Sequence, residues 1–305
     1  MDIFGLEELT YAEEEAMWWH SNSEDGSDDS SSVGYQWSTE LACSMGGSDI
    51  SEEGPLEQHW LTCSNNPDPT LPCMVDIGPK LESGVKVEAC PDSGCTMSLI
   101  SEDFAKKIGV RILRTPKKLY GATGANIQIG GQGIIFVKVE GVSVKRLRVL
   151  VMKKDADDLI ISYHDLITLR VLATNFPNQV TNKQAPSLPH PNGNTSEVPL
   201  LTCRVRSGSA IDVSVDAVPD TGCTGHTAIS EDFARRCGIN VYPTSFESMD
   251  SIVSGRAWIS IKIKDQLKIN RTVMVSNITD DMLLCWSDLI DLGVLPGNFP
   301  SPAPE

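Results

Sequence analysis

The chain has 305 residues, 40% of them hydrophobic, and a formal charge of −16 from 25 Lys and Arg against 41 Asp and Glu. That length holds one large domain or two ordinary ones with ample apolar material for a core. The charge excludes a protein that grips nucleic acid by bulk neutralisation of phosphates, so no direct nucleic-acid partner is expected.

The charge is unevenly spread. Residues 1–70 carry sixteen acids and no Lys or Arg, and the first base is Lys80. This acidic tail is expected to be disordered, since a run such as Glu24-Asp25-Gly26-Ser27-Asp28-Asp29-Ser30-Ser31-Ser32 buries too little apolar area to fold. Four of the six tryptophans (Trp18, Trp19, Trp37, Trp60) nevertheless lie in it. Two readings stand: a solvated spacer with incidental aromatics, or a short linear motif around Leu9–Trp19 that docks an apolar helix face on a partner. The start Met1-Asp2-Ile3-Phe4 lacks a basic n-region and a long apolar run, and no stretch approaches the roughly 18 apolar residues of a membrane span. Nine cysteines, an odd number at irregular spacing, point to reduced thiols. The expectation is an intracellular, cytoplasmic protein without a membrane partner. Cys43, His59 and Cys63 lack paired ligand spacing, so neither a metal nor any other cofactor is expected.

The globular remainder is organised by a repeat. Residues 91–104, PDSGCTMSLISEDF, match residues 219–233, PDTGCTGHTAISEDF, with one insertion. The match continues through Ala105–Val110 against Ala234–Ile239. It returns at Asp165-Leu166-Ile167 and Asn175-Phe176-Pro177 against Asp288-Leu289-Ile290 and Asn298-Phe299-Pro300. The division that follows is a tail at 1–70, a first unit at 71–177, a flexible Asn/Pro/Ser-rich linker at 178–197, a second unit at 198–300 and a short end at 301–305.

Within each unit the pattern is mostly strand. Val85–Ala89 and Val213–Ala217 alternate with period two and run into an Asp-containing turn. Ser101 and Ser230 cap short helices at Glu102–Ile108 and Glu231–Cys237, closed by Gly109 and Gly238. A glycine-containing hairpin follows in unit one, Leu119 to Ile127, then strands at Ile134–Val139 and Arg148–Met152. Unit two has Phe246 to Ile252 at the hairpin's place, five residues shorter between Phe233 and Gly255 than unit one is between Phe104 and Gly131. Its strands follow at Trp258–Ile263 and Thr272–Val275. Second helices are expected at Tyr163–Leu169 and Ser287–Leu292. Many short strands with two short helices per hundred residues give a mainly β chain of two small barrels.

The turns carry the chemistry. Asp-Ser/Thr-Gly at the end of an apolar strand, presented twice and face to face, brings two carboxylates within a few ångströms, where both cannot ionise. One then acts as general base on water while the protonated one polarises a carbonyl. Gly94 and Gly222 let the turns close; Ser93 and Thr221 offer hydroxyls to lock the two loops. A D-[ST]-G tripeptide arises by chance roughly 0.15 times in a chain this long. Two, each after a strand and before a capped helix, are not incidental turns. Cys95 and Cys223 read as small pocket-lining residues, and His226, without a partner at nucleophile or metal spacing, as a surface residue.

These residues resemble the retropepsin-type aspartic proteases of gypsy-class LTR retrotransposons. The resemblance is carried by PDSGCT with LISEDFAKKIGV (99–110), PDTGCT with ISEDFARRCGI (229–239), and the blocks LIISYHDLITLRVL (159–172) and MLLCWSDLIDLGVLP (282–296). It implies two tandem closed β-barrels of the acid protease fold, paired as a pseudo-dimer, that cleave extended polypeptide substrates, the chain's own polyprotein included. It implies Asp92 and Asp220 as the catalytic pair, with Ser93, Gly94, Thr221 and Gly222 in the supporting loops. Tyr120, Gly121, Ala122, Thr123 and Gly124 become the substrate-binding flap. Two features depart from the family: Cys95 and Cys223 stand where Ala is common, and Ser162 and Cys285 replace the Gly of the supporting apolar-apolar-Gly turn, which weakens the case for full activity.

Two rival readings remain. One is a non-catalytic pseudo-protease serving as a binding or scaffold module; the retention of both aspartates argues against it. The other pairs the units between chains as a homodimeric protease. Residues 80–177 carry net +5 and residues 197–300 net −4, which favours pairing of unit one with unit two. A twenty-residue linker spans roughly 25 Å on average, enough to join neighbouring barrels.

Overall fold

A computed structural model describes residues 68–153, 157–177, 198–208, 212–223, 225–243, 253–263 and 267–302. The acidic tail up to residue 67, with its tryptophans, Cys43, His59 and Cys63, lies outside these residues. So do the linker 178–197 and residues 244–252 at the hairpin place of unit two.

Unit one contains β1 (Leu71–Asp76), β2 (Val85–Asp92), β3 (Leu99–Ser101), α1 (Glu102–Ile108), β4 (Leu119–Tyr120), β5 (Asn126–Ile127), β6 (Ile129–Val139), β7 (Lys145–Met152), β8 (Leu159–Ser162) and α2 (Tyr163–Thr168). Unit two follows with β9 (Leu201–Arg206), β10 (Val213–Pro219), β11 (Ala228–Ser230), α3 (Glu231–Arg236), β12 (Val253–Ile263), β13 (Leu267–Ser276), β14 (Met282–Leu284) and α4 (Trp286–Asp291). The first barrel closes in the order β1-β2-β8-β3-β7-β6 and the second as β9-β10-β14-β11-β13-β12, strand for strand the same circuit. The expected fold, mainly β with two closed barrels, is what the chain adopts.

Period-two alternation builds the barrels. Along β12 every second residue from Gly255 to Ile263 is buried, placing Ala257, Ile259, Ile261 and Ile263 inside while Trp258, Ser260 and Lys262 face outward. β6 and β7 do the same in unit one, with Ile135, Val137, Leu147 and Val149 at 1% exposure or less. Closing the sheet removes the edges that short strands would otherwise leave unpaired.

A bulge recurs at one place in both units, between Ile129 and Gly131 and between Val253 and Gly255. Glycine is required there. A Cβ on Gly131 would lie 2.4 Å from the Leu113 carbonyl oxygen, and one on Gly255 2.7 Å from that of Tyr242. Those carbonyls belong to the single bridges Leu113–Gln132 and Tyr242–Arg256, which tie the chain after each first helix across the barrel.

The helices start where their caps dictate. Ser101 accepts the Phe104 N–H at 3.1 Å and Ser230 the Phe233 N–H at 3.0 Å, caps worth about 1 kcal/mol each. α1 ends on Gly109 at φ 81°, and α3 stops one residue earlier than expected, with Cys237 as its C-cap. Phe104 and Phe233, 2% exposed, pin the two helices to their barrels. Among the described residues no helix is long and apolar enough to cross a membrane, and all seven described cysteines are free thiols.

Candidate active site

β2 and β10 deliver the two Asp turns to the same point. Each strand runs parallel to the short strand from its own C-terminal block, Cys90 beside Ile160 and Asp92 beside Ser162, Val218 beside Leu283 and Pro219 beside Leu284. The turns then meet between the barrels. Ser93 Oγ–H donates to the Pro219 carbonyl at 2.5 Å and accepts the Thr221 N–H at 3.0 Å. Reciprocally, Thr221 Oγ1–H donates to the Pro91 carbonyl at 2.7 Å and accepts the Ser93 N–H at 2.9 Å. Four hydrogen bonds, all between units and all buried, lock loop to loop.

The glycines set how close the carboxylates come. A Cβ on Gly94 would lie 2.7 Å from the Asp220 carboxyl carbon, and one on Gly222 2.7 Å from that of Asp92. Each aspartate thus packs flat against the glycine of the opposite turn, and no other residue type leaves that space. Asp92 is 2% exposed and Asp220 1%. Asp220 Oδ1 accepts the N–H groups of Gly222 at 3.0 Å and Cys223 at 3.1 Å.

Burial sets the electrostatics. It raises the Asp92 carboxyl well above the ordinary range, helped by the Asp220 charge and by the hydrogen bond between the two. Burial also raises Asp220, to about 6, against the opposing hydrogen bonds from Asp92, Gly222 and Cys223. The pair therefore holds one shared proton, each carboxyl being met by backbone N–H groups of its own turn, Gly94 and Cys95 for Asp92, Gly222 and Cys223 for Asp220. Asp92 Oδ1 and Asp220 Oδ2 accept from no donor among the described residues.

Cys95 and Cys223 are buried beside the dyad. Burial first, and then the neighbouring carboxylates, push both thiols up, so they stay protonated and line the loops. His226 is not a surface residue as expected: it is 4% exposed. The loop after Asp220 folds inward, bringing the Cys223 thiol to the His226 carbonyl at 3.3 Å.

The hairpin of unit one forms as β4 and β5, with Gly121 N–H to the Ala125 carbonyl and Gly124 N–H to the Gly121 carbonyl, both at 2.8 Å. Gly124 sits at φ 77°, a turn conformation that favours glycine. Tyr120 and Thr123 stay partly or fully exposed, while Gly121 and Ala122 are buried. The hairpin expected to be shortened in unit two, Phe246 to Ile252, falls outside the described residues.

Sequence reasoning missed the layer behind the loops. Ser98 Oγ–H donates to Asp165 at 2.5 Å and accepts the Ser162 N–H at 3.0 Å. Thr227 Oγ1–H donates to Asp288 at 2.5 Å and accepts the Cys285 N–H at 3.2 Å. The signal was present, since Ser98 aligns with Thr227 and Asp165 with Asp288 in the repeat. This network also answers the missing glycine. Ser162 and Cys285 lie at φ −71° and −69°, extended backbone that admits any side chain, and their N–H groups make the bonds to the hydroxyls.

No curated protein matches the chain. Among solved structures, the retroviral protease-like domain of Ddi1 from Leishmania major is similar at 22% identity over 34% of this chain and 76% of that one, with a TM-score of 0.26. Residues 78–164, which run from just after β1 into α2 and include Asp92, match the aspartyl protease family.

Proposed function

We propose that the chain is an aspartic endopeptidase in which each barrel supplies one aspartate to a single dyad. The observation that carries this reading is the reciprocal packing of Gly94 on Asp220 and of Gly222 on Asp92. Two carboxyls buried face to face cost stability, and such a perturbed pair is the mark of a catalytic site.

In the mechanism, Asp220 as the ionised member of the pair takes a proton from a bound water, which attacks the scissile carbonyl carbon. Asp92 gives its proton to the carbonyl oxygen, forming a tetrahedral diol. Collapse breaks the C–N bond as a proton passes to the amine, and the dyad returns to one proton. Tyr120–Gly124 cover an extended polypeptide during these steps. The division into a tail at 1–70, units at 71–177 and 198–300 and a linker at 178–197 belongs to this reading. So do pairing within one chain, an intracellular setting, and a retroelement polyprotein as the substrate class.

Asp92→Asn and Asp220→Asn, made singly in the full chain, test it. Each is expected to abolish cleavage of an unstructured protein such as reduced casein while leaving circular dichroism unchanged. Cleavage by wild type that survives either single change refutes the shared dyad. A wild-type chain that cleaves nothing between pH 4 and 7 refutes the enzyme and favours the scaffold reading.

A further inference from the structure

The hairpin does not end over its own barrel. The Ala122 carbonyl at its tip accepts two hydrogen bonds from one residue of unit two, the Thr279 N–H and the Thr279 Oγ1–H, both at 3.0 Å. Thr279 lies on the loop between β13 and β14. Ala122, 4% exposed, packs its methyl into an apolar cluster of Val218, Ala228, Met274, Ile278 and Leu283. Val218 and Leu283 are paired neighbours at the foot of the Asp220 turn. The hairpin therefore spans from unit one to the wall of unit two beside the dyad. The fit is close: a Cβ on Gly124 would lie 3.3 Å from Thr279 Cγ2, so the threonine methyl occupies the space that a side chain at the turn would need.

Resting on the protease reading above, we propose that Thr279 is a positioning residue that latches the hairpin Tyr120–Gly124 shut across the cleft and so retains bound substrate. One side chain and its own backbone N–H hold one carbonyl, and the partner lies 157 positions away in the chain. The arrangement makes closure a property of the unit pair and not of the hairpin alone. Loosening it frees the tip without touching the dyad, whose lock is made by Ser93 and Thr221.

Thr279 is exposed, so its replacement leaves both barrels folded. Thr279→Val keeps the shape and the N–H and removes the hydroxyl donor. Two readouts decide. In hydrogen exchange of the full chain, the peptide covering residues 119–127 is expected to exchange about fivefold faster in Thr279→Val, the change set by one net hydrogen bond, with β6 and β7 unchanged. In casein cleavage, KM is expected to rise severalfold with kcat nearly constant, because the hairpin releases substrate sooner while the chemistry is untouched. Thr279→Ser, which restores the hydroxyl, is expected to recover both values.

Unchanged exchange at residues 119–127 overturns the latch. So does a fall in kcat at constant KM, which would mark a merely structural residue, or a Thr279→Ser variant that behaves like Thr279→Val. The exchange experiment needs no turnover. If wild type cleaves nothing, the protease reading fails and the exchange result still decides the latch.

Discussion

Ser93→Ala should part the two barrels without unfolding either. The Ser93 hydroxyl makes two of the four loop-to-loop hydrogen bonds, to the Pro219 carbonyl and from the Thr221 N–H. Ser93 and Thr221 are fully buried, so the alanine leaves a backbone carbonyl and a backbone N–H with no partner in a dry contact. At about 1–3 kcal/mol for each orphaned group, the loss is about 2–6 kcal/mol. All of it falls on the pairing of the units, because neither bond lies within a barrel. A mid-range loss of about 4 kcal/mol is about a thousandfold in the pairing equilibrium, comparable with what a tether giving a local concentration near millimolar supplies.

The assay follows casein cleavage and far-ultraviolet circular dichroism together in rising urea. In wild type the two are expected to fall together. In Ser93→Ala cleavage should disappear at much lower urea, or be absent in water, while the circular dichroism midpoint stays within experimental error. Ser93→Thr keeps the hydroxyl and should retain activity. Thr221→Val removes the other two bonds, and the double variant should cost less than the sum of the singles, since opening either half exposes both. Additive costs, or a Ser93→Ala enzyme that tracks wild type in urea, would show that the lock does not hold the units together.

Two further outcomes follow from the charges. Both dyad carboxyls are raised in the folded state, so their contribution to stability is fully present below the unfolded carboxylate range, about 4, and is lost as pH rises through the folded value, about 6 for Asp220. Urea midpoints for loss of cleavage by the wild type should therefore decline from pH 4 to pH 8; a midpoint that rises over this range contradicts the assignment. Separately, Arg271 donates to Asp288 at 2.5 Å and also to Asp291, with Asp288 at 4% side-chain exposure. Arg271→Leu leaves a buried carboxylate without its cation, and should cost about 3–5 kcal/mol in equilibrium unfolding, against less than about 0.5 for an incidental surface pair.

What could be read from the residues was whatever is written locally. The strands into the Asp turns, the serine caps and α1 all depend on neighbours within a few positions, and they formed where the pattern put them. β1 and β9 were not legible as strands: Leu71–Asp76 is six residues with Pro72 inside, and only its pairing with β2 and β6 makes it one. The Asp turns were legible as a motif, but not the depth to which Gly94 and Gly222 admit the opposite carboxylate. The hairpin was visible from its glycines, whereas its anchorage on Thr279 was not, because no local pattern records a contact between units. His226 was misjudged for the same reason: a polar side chain in a turn looks exposed until the loop is seen to fold inward.

The comparison of the two barrels separates what the dyad requires from what each unit merely tolerates. Both keep the relay from hydroxyl to buried aspartate, Ser98 to Asp165 and Thr227 to Asp288, because it fixes the short strand that flanks each Asp turn. They differ in how that aspartate is balanced. In unit two Arg271 reaches Asp288 from β13. The corresponding place on β7, judged by pairing opposite Ile135 as Arg271 pairs opposite Ile259, holds Leu147. Burial raises the Asp165 carboxyl despite the hydroxyls of Ser98 and Ser162 and the nearby His164. A raised carboxyl stabilises most when protonated, so unit one gives up this contribution as pH rises, in the same direction as the dyad itself. Unit two sets the Arg271 guanidinium against its aspartate. The turn that presents Asp92 thus rests on an acid-favoured support and the turn that presents Asp220 on an ion pair.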